Sequence, residues 1–310
     1  MAAASHAIIR IGPAGWSYPD WRGVVYPAKK TKGFDALEYL AQFFDTIEIN
    51  TSFYNPPRPE VVETWLHRVE PNKNFQFTAK LWQRFTHERS ASPEDERVFK
   101  QGIEPLASAG RLGALLVQFP WSFKSTPENR RYLTELCARF KEFPIVIEVR
   151  HASWNTPETI ATLQEIRAGF CNIDQPVIGR SLEPTAHASA PVGYVRLHGR
   201  NYKEWFSENA QPAERYNYLY SLDELAGWVE RIKNISQRTR AVFVITNNHF
   251  RGQAVANALQ LAALASGKKV QAPKLVLETY PELPKIATPM ESTQSGGQEA
   301  SLFGEFPSES

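Results

Sequence analysis

Eight short runs of β-branched and aromatic residues recur along the chain, and amphipathic stripes separate most of them. They are Ile8 to Pro13, Thr46 to Asn50, Phe75 to Lys80, Leu112 to Phe119, Ile145 to Val149, Phe170 to Ile173, Val192 to His198 and Val242 to Thr246. Runs of this kind form strands buried on both faces. Leu37, Leu40, Ala41 and Phe44 give the first helical stripe, and Val61, Val62, Trp65, Leu66 and Val69 the second. A helix over Glu94 to Ala109 contains Pro105, which is expected to kink or split it. Thr126-Pro127 and Thr156-Pro157 are cap and first-turn proline signals, and Ser221 with Glu224 makes a capping box. An alanine-rich helix follows the last strand, to about Ala265. Only Gln175 to Pro191 lacks a stripe where a helix is due. Strands alternating with helices in one unbroken series predict a single (β/α)8 TIM-type barrel over residues 1–285, with a disordered tail over 286–310. No phosphate-cradling glycine fingerprint follows a strand, which argues against a dinucleotide fold.

A net charge of +2 gives no reason to expect bulk nucleic-acid or membrane-surface binding. No run approaches the ~18 apolar residues that a membrane span needs, and the start lacks the form of a secretory signal. A cytoplasmic location is the expectation. Cys137 and Cys171 read as small buried hydrophobes, neither a disulfide framework nor a metal motif.

Charged side chains within such apolar strands are costly unless paired, hydrogen-bonded or facing a wet cavity. Three strands nonetheless carry a polar pair at i and i+2, which strand alternation aims at one face: Glu48/Asn50, Glu148/Arg150 and Arg196/His198. In a barrel the site lies at the strands' carboxyl ends. Lys80, Gln118, His151, Asp174 and Asn247 fall there too. Glu48, Glu148, His151 and His198 are candidates for proton transfer, with Glu148 and His198 as the leading pair. Arg150, Arg196 and Lys80 are candidate anion clamps. Asn50, Gln118, Asp174 and Asn247 complete the substrate-binding set, with Trp16, Tyr54 and Trp154 as pocket walls. A self-satisfied ion-pair network filling the barrel is the bland alternative.

With those stretches in place, the chain resembles the YecE-like proteins, the family known as domain of unknown function 72. The resemblance is carried by Gly15-Trp16-Ser17-Tyr18 with Trp21-Arg22-Gly23 and Tyr26-Pro27, and by Glu48 through Tyr54. It continues through Phe77-Thr78-Ala79-Lys80 with His87, Gln118-Phe119-Pro120, Glu148-Val149-Arg150-His151 to Trp154, Tyr194 to Gly199, and Asn247-Asn248. Thr51-Ser52 stands where the family more often has Ser-Thr, and both orders keep the hydroxyls. The resemblance implies a TIM-type barrel and brings no settled activity, substrate or cofactor.

The leading expectation is therefore an enzyme acting on a small anionic substrate, phosphorylated substrates included, by acid–base chemistry. Hydrolase, lyase and isomerase all stay open, and the cofactor is unknown. A metal-dependent hydrolase or nuclease using Glu48, Glu148 and His198 is one alternative; a non-catalytic binding or adaptor module is another. In the tail, Gln298, Leu302 and Phe303 resemble the peptides with which bacterial proteins dock on the DNA sliding clamp.

Overall fold

A computed structural model describes residues 7–29, 32–203 and 214–290. Eight parallel strands run in chain order around a barrel: β1 (Ile8–Pro13), β2 (Thr46–Ile49), β3 (Gln76–Lys80), β4 (Leu112–Gln118), β5 (Ile145–Glu148), β6 (Gly169–Asp174), β7 (Val192–Leu197) and β8 (Ala241–Thr246). Their neighbours are β1-β8-β7-β6-β5-β4-β3-β2. The ends of that series meet at a seam, where the Gly15 backbone N–H donates to the Glu48 carbonyl at 2.8 Å and Ala14 bridges Glu48. Gly12 makes the approach feasible, because a Cβ there would lie 1.9 Å from the Thr46 carbonyl oxygen.

The helices are α1 (Ala36–Leu40), α2 (Pro59–Val69), α3 (Gln83–Thr86), α4 (Pro93–Ser108), α5 (Pro127–Arg139), α6 (Pro157–Glu165), α7 (Leu222–Ser236) and α8 (Gln253–Ser266). Each longer one buries its stripe against the strands' outer faces: Val62, Trp65 and Val69 on α2, Phe99, Ile103 and Leu106 on α4, Leu225, Trp228 and Ile232 on α7. Burying a side chain of this size stabilises by roughly 1.5–3 kcal/mol. The expected caps form, since Thr126, Thr156 and Ser221 each accept a backbone N–H of their helix's first turn. No helix separates β6 from β7, as the missing stripe implies.

Two expectations need correction. Pro105 does not split α4, which runs from Pro93 to Ser108 with the proline inside it. The ordered chain also continues past Lys285. Strand β9 (Val270–Ala272), helix α9 (Lys274–Thr279) and strand β10 (Ala287–Pro289) follow α8, and β10 pairs with β9. These strands are three residues each, too short for periodicity to reveal.

Candidate functional site

Parallel neighbours in register present the same face, so the pairing fixes which side chains point inward. Lys80 pairs with Leu116, Gln118 with Glu148, and Arg196 with Ile173 and Ile245. Glu48, Thr78, Tyr194 and Arg196 meet inside the barrel, and Phe243, in register with Tyr194, packs with its ring centroid 6.3 Å from that tyrosine's. Room for that ring comes from Gly113, where a Cβ would lie 2.1 Å from Phe243 Cζ.

Arg196 is the hub. Its Nε and Nη2 donate to Glu48 Oε2 and Oε1 at 3.0 and 2.7 Å, a bidentate fork. Its Nη1 donates to Glu148 Oε2 and Gln118 Oε1, both at 3.1 Å. The Tyr194 hydroxyl donates to Glu48 Oε2 at 2.9 Å and lies 2.9 Å from the Thr78 hydroxyl. On its other oxygen, Glu148 accepts from Arg150 Nε at 3.0 Å, and His198 Nε2 lies 3.2 Å away. Asn247 Nδ2 sits 3.1 Å from His198 Nδ1. A neutral imidazole with its proton on Nε2 satisfies both neighbours, a tautomer assigned from the hydrogen-bond network.

Electrostatics agree with that assignment. Burial raises the Glu148 carboxyl, yet Arg196, His198 and Arg150 together outweigh it and hold the group well below its ordinary value. Burial lowers His198 to about 3, against the pull of Glu148. Arg196 is 1% exposed, and although burial opposes its charge, Glu48 and Glu148 raise its pKa. The two central carboxylates are therefore shared out before any ligand arrives.

Lys80 is different. It is 8% exposed, with Nζ 4.1 Å from the centroid of the Phe53 ring. Among the described residues no carboxylate lies within ion-pair distance of it. Burial lowers its pKa to about 7, with Arg196 and Arg150 adding to the fall and Glu48 and Glu148 opposing it. Its backbone is pinned by Ser52, whose hydroxyl accepts the Lys80 N–H at 3.1 Å and lies 2.8 Å from its carbonyl oxygen.

The structure brings Glu48, Glu148, Arg150, Arg196, His198, Gln118 and Asn247 into one network. Asn50 lies beside it at the seam, donating to the Tyr18 hydroxyl at 3.3 Å. Other candidates fall elsewhere. Asp174 is out of phase with the inward-facing Ile173 and points to the helix layer, where Arg200 and the Trp228 indole bind it. His151 is likewise out of phase with Glu148 and Arg150, and caps the turn Ala152–Trp154 through the Ser153 N–H. Trp154 is buried on Phe123, and its indole N–H donates to the Phe123 carbonyl. Trp16 stands edge-on to Trp65 of α2, beside a cavity of about 520 Å³ outside the barrel that Tyr18, Arg22 and Arg68 also line. Tyr54 is 61% exposed. Arg196, expected as an anion clamp, is instead heavily engaged by protein groups, its three nitrogens donating to Glu48, Gln118 and Glu148. Gln298, Leu302 and Phe303 lie outside the described residues.

Sequence reasoning passed over four contributors. Tyr194 continues the Arg196/His198 phase two residues earlier, and Thr78 does the same for Lys80, so alternation pointed to both. Phe53 and His87 come from loops, where no periodicity applies; His87 stands edge-on to Phe53, ring centroids 4.9 Å apart. Burial lowers His87 to about 4, and Lys80 and Arg150 lower it further.

A metal centre fits poorly here. The Arg196 guanidinium occupies the position between Glu48 and Glu148 that a cation would take. Among the described residues no three His, Cys, Asp or Glu side chains are gathered to hold an ion.

Fold and interior together define a (β/α)8 barrel with a buried charge network at the strands' carboxyl ends. Residues 10–281 match the family model described as "Protein of unknown function DUF72", and the chain belongs to that family. It is 30% identical to UPF0759 protein YunF of Bacillus subtilis over 272 residues, 83% of this chain and 94% of that one. UPF0759 protein YecE of Escherichia coli is 32% identical over 148 residues, 46% of this chain and 49% of that one. A DUF72 family protein from Thermotoga maritima superposes with a TM-score of 0.74 at 32% identity, covering 84% of this chain and 99% of its own. One from Enterococcus faecalis gives 0.75 at 29%, covering 84% and 96%. Among the described residues no helix is long and apolar enough to cross a membrane.

Proposed function

We propose that the barrel is an enzyme that holds a small anion at the carboxyl ends of its strands and moves a proton on it. The observation that carries this reading is the position of Lys80, a nearly buried amine with no carboxylate partner among the described residues, next to a network that is already neutralised. Glu48, Glu148 and Arg196 sum to a single negative charge, and Arg150 cancels it. Protonated Lys80 then leaves the cluster positive, which an incoming anion offsets.

Glu148 stays ionised and His198 neutral, so both orient and tune charge, and Lys80 carries the proton. An amine that titrates near neutrality serves as acid or base at little cost. Thermal-shift titration with phosphate, sulfate and citrate against chloride of equal ionic strength tests the reading. Wild-type protein should be stabilised, and Lys80→Met should lose most of that gain. Equal shifts in both proteins, or none in either, would count against it.

A further inference from the structure

We propose that Lys80 is the nucleophile of this site, and that its amine joins the carbonyl carbon of a small anionic aldehyde or ketone as an imine. The inference rests on the anion reading above and names the substrate class. Its basis is placement. Lys80 ends β3 on the inner face, the Ser52 hydroxyl fixes its backbone, and its stem is enclosed so that only a small part of the residue meets solvent. A lysine there to neutralise charge would reach a carboxylate. Lys80 instead has Glu48 and Glu148 in its surroundings, and Arg196 spans both.

The charged and titratable groups facing it are Glu48 from β2, Glu148 and Arg150 from β5 and its following loop, Arg196 from β7 and His87 beyond α3. The Phe53 ring favours the ammonium form, whereas burial and the two guanidinium groups favour the free amine. With the balance brought down to about 7, a substantial share of the molecules hold a neutral amine at pH 7. An ordinary lysine with pKa ≈ 10.4 does so in about one in 2,500.

The step balances without a redox partner. The nitrogen lone pair forms the N–C bond as the carbonyl π pair moves to oxygen. That oxygen takes the two protons given up by the amine and leaves as water, and the C=N bond remains. Protonated, the imine draws electrons from an adjacent C–H or C–C bond, the chemistry of lyases and isomerases.

The test is reductive trapping on the full chain at pH 7. Two carbonyl probes are used at low ratio to protein, glyoxylate with cyanoborohydride and pyridoxal 5′-phosphate with borohydride, and the modified lysines are mapped by peptide mass spectrometry. Lys80 should label at least tenfold faster than Lys73 and Lys274, whose side chains are 74% and 81% exposed. Its rate should be half-maximal near pH 7, phosphate should slow it, and uncharged propionaldehyde should label it less. Lys80→Arg should lose this label and no other; if that variant fails to fold, the wild-type map and pH profile decide the matter alone. Lys80 unmodified by both probes, or modified no faster than Lys73 and Lys274, would overturn the proposal. Phosphate stabilisation without labelling leaves the anion reading standing and removes the nucleophile. Fast labelling that phosphate neither slows nor accompanies with a thermal shift keeps the nucleophile and removes the anion.

Discussion

Two buried carboxylates near the carboxyl ends of neighbouring strands, Glu148 on β5 and Asp174 on β6, meet arginines in opposite ways. Asp174 faces outward and takes a fork from Arg200, at 2.8 and 2.7 Å, plus the Trp228 indole of α7. Arg200 continues to Glu224, which accepts from the Tyr218 hydroxyl and closes the capping box of α7. That outer set braces a strand against its helix, with Arg200 29% exposed on its side chain. Glu148 faces inward, shares Arg196 with Glu48, and is fully enclosed. The residue types are nearly the same in the two sets. Strand phase alone decides which becomes a brace and which becomes a candidate site.

Removing each arginine in turn tests whether burial separates the two sets. Arg196→Leu strands two carboxylates without their partner and should cost about 3–5 kcal/mol in urea unfolding. Arg200→Leu, with solvent at hand, should cost less than half as much. Equal losses would show that the difference in burial has no energetic consequence.

Acid should separate the two sets next. His198 belongs to the inner set, and burial holds it at about 3, while an unfolded histidine titrates near 6.5. Between those values the unfolded chain binds a proton that the folded one refuses, so stability falls as pH drops through that window. From pH 7 to pH 5 this one residue should withdraw about 2 kcal/mol, and His198→Gln should flatten the wild-type slope by that amount. Trp228→Phe, in the outer set, should leave the slope unchanged. At pH 7 that same Trp228→Phe change should itself cost about 1.5 kcal/mol, the lower end for a hydrogen bond to a charged group. A larger loss than that of Arg196→Leu would invert the ranking.

Most of this architecture was legible in the sequence, because strand and helix periods differ and the eight runs are long enough to show theirs. The inner network was legible for the same reason: Glu48, Glu148, Arg196 and His198 sit at matching phase on their strands. What the sequence could not settle was phase at strand ends. Asp174 and His151 fall one residue off the inward-facing set, and position at a strand's end says nothing about that. The aromatic walls were misplaced because Trp16 and Trp154 lie in turns, where packing partners come from distant helices. Charge saturation was also hidden. Arg196 read as an anion clamp, and nothing in its strand position told that Glu48, Gln118 and Glu148 would engage most of its donors.

The seam between β1 and β2 ties these threads to the order in which the chain assembles. Glu48 closes the barrel with its backbone oxygen, on Gly15, and anchors Arg196 with its side chain. That fork joins β2, at one end of the series, to β7, across 148 residues of sequence. Contacts of such sequence separation form late and slowly. A side chain at position 12 would press on the Thr46 carbonyl from 1.9 Å, so the seam, and with it the carboxylate that Glu48 brings to the interior, rests on a residue that contributes no side chain at all.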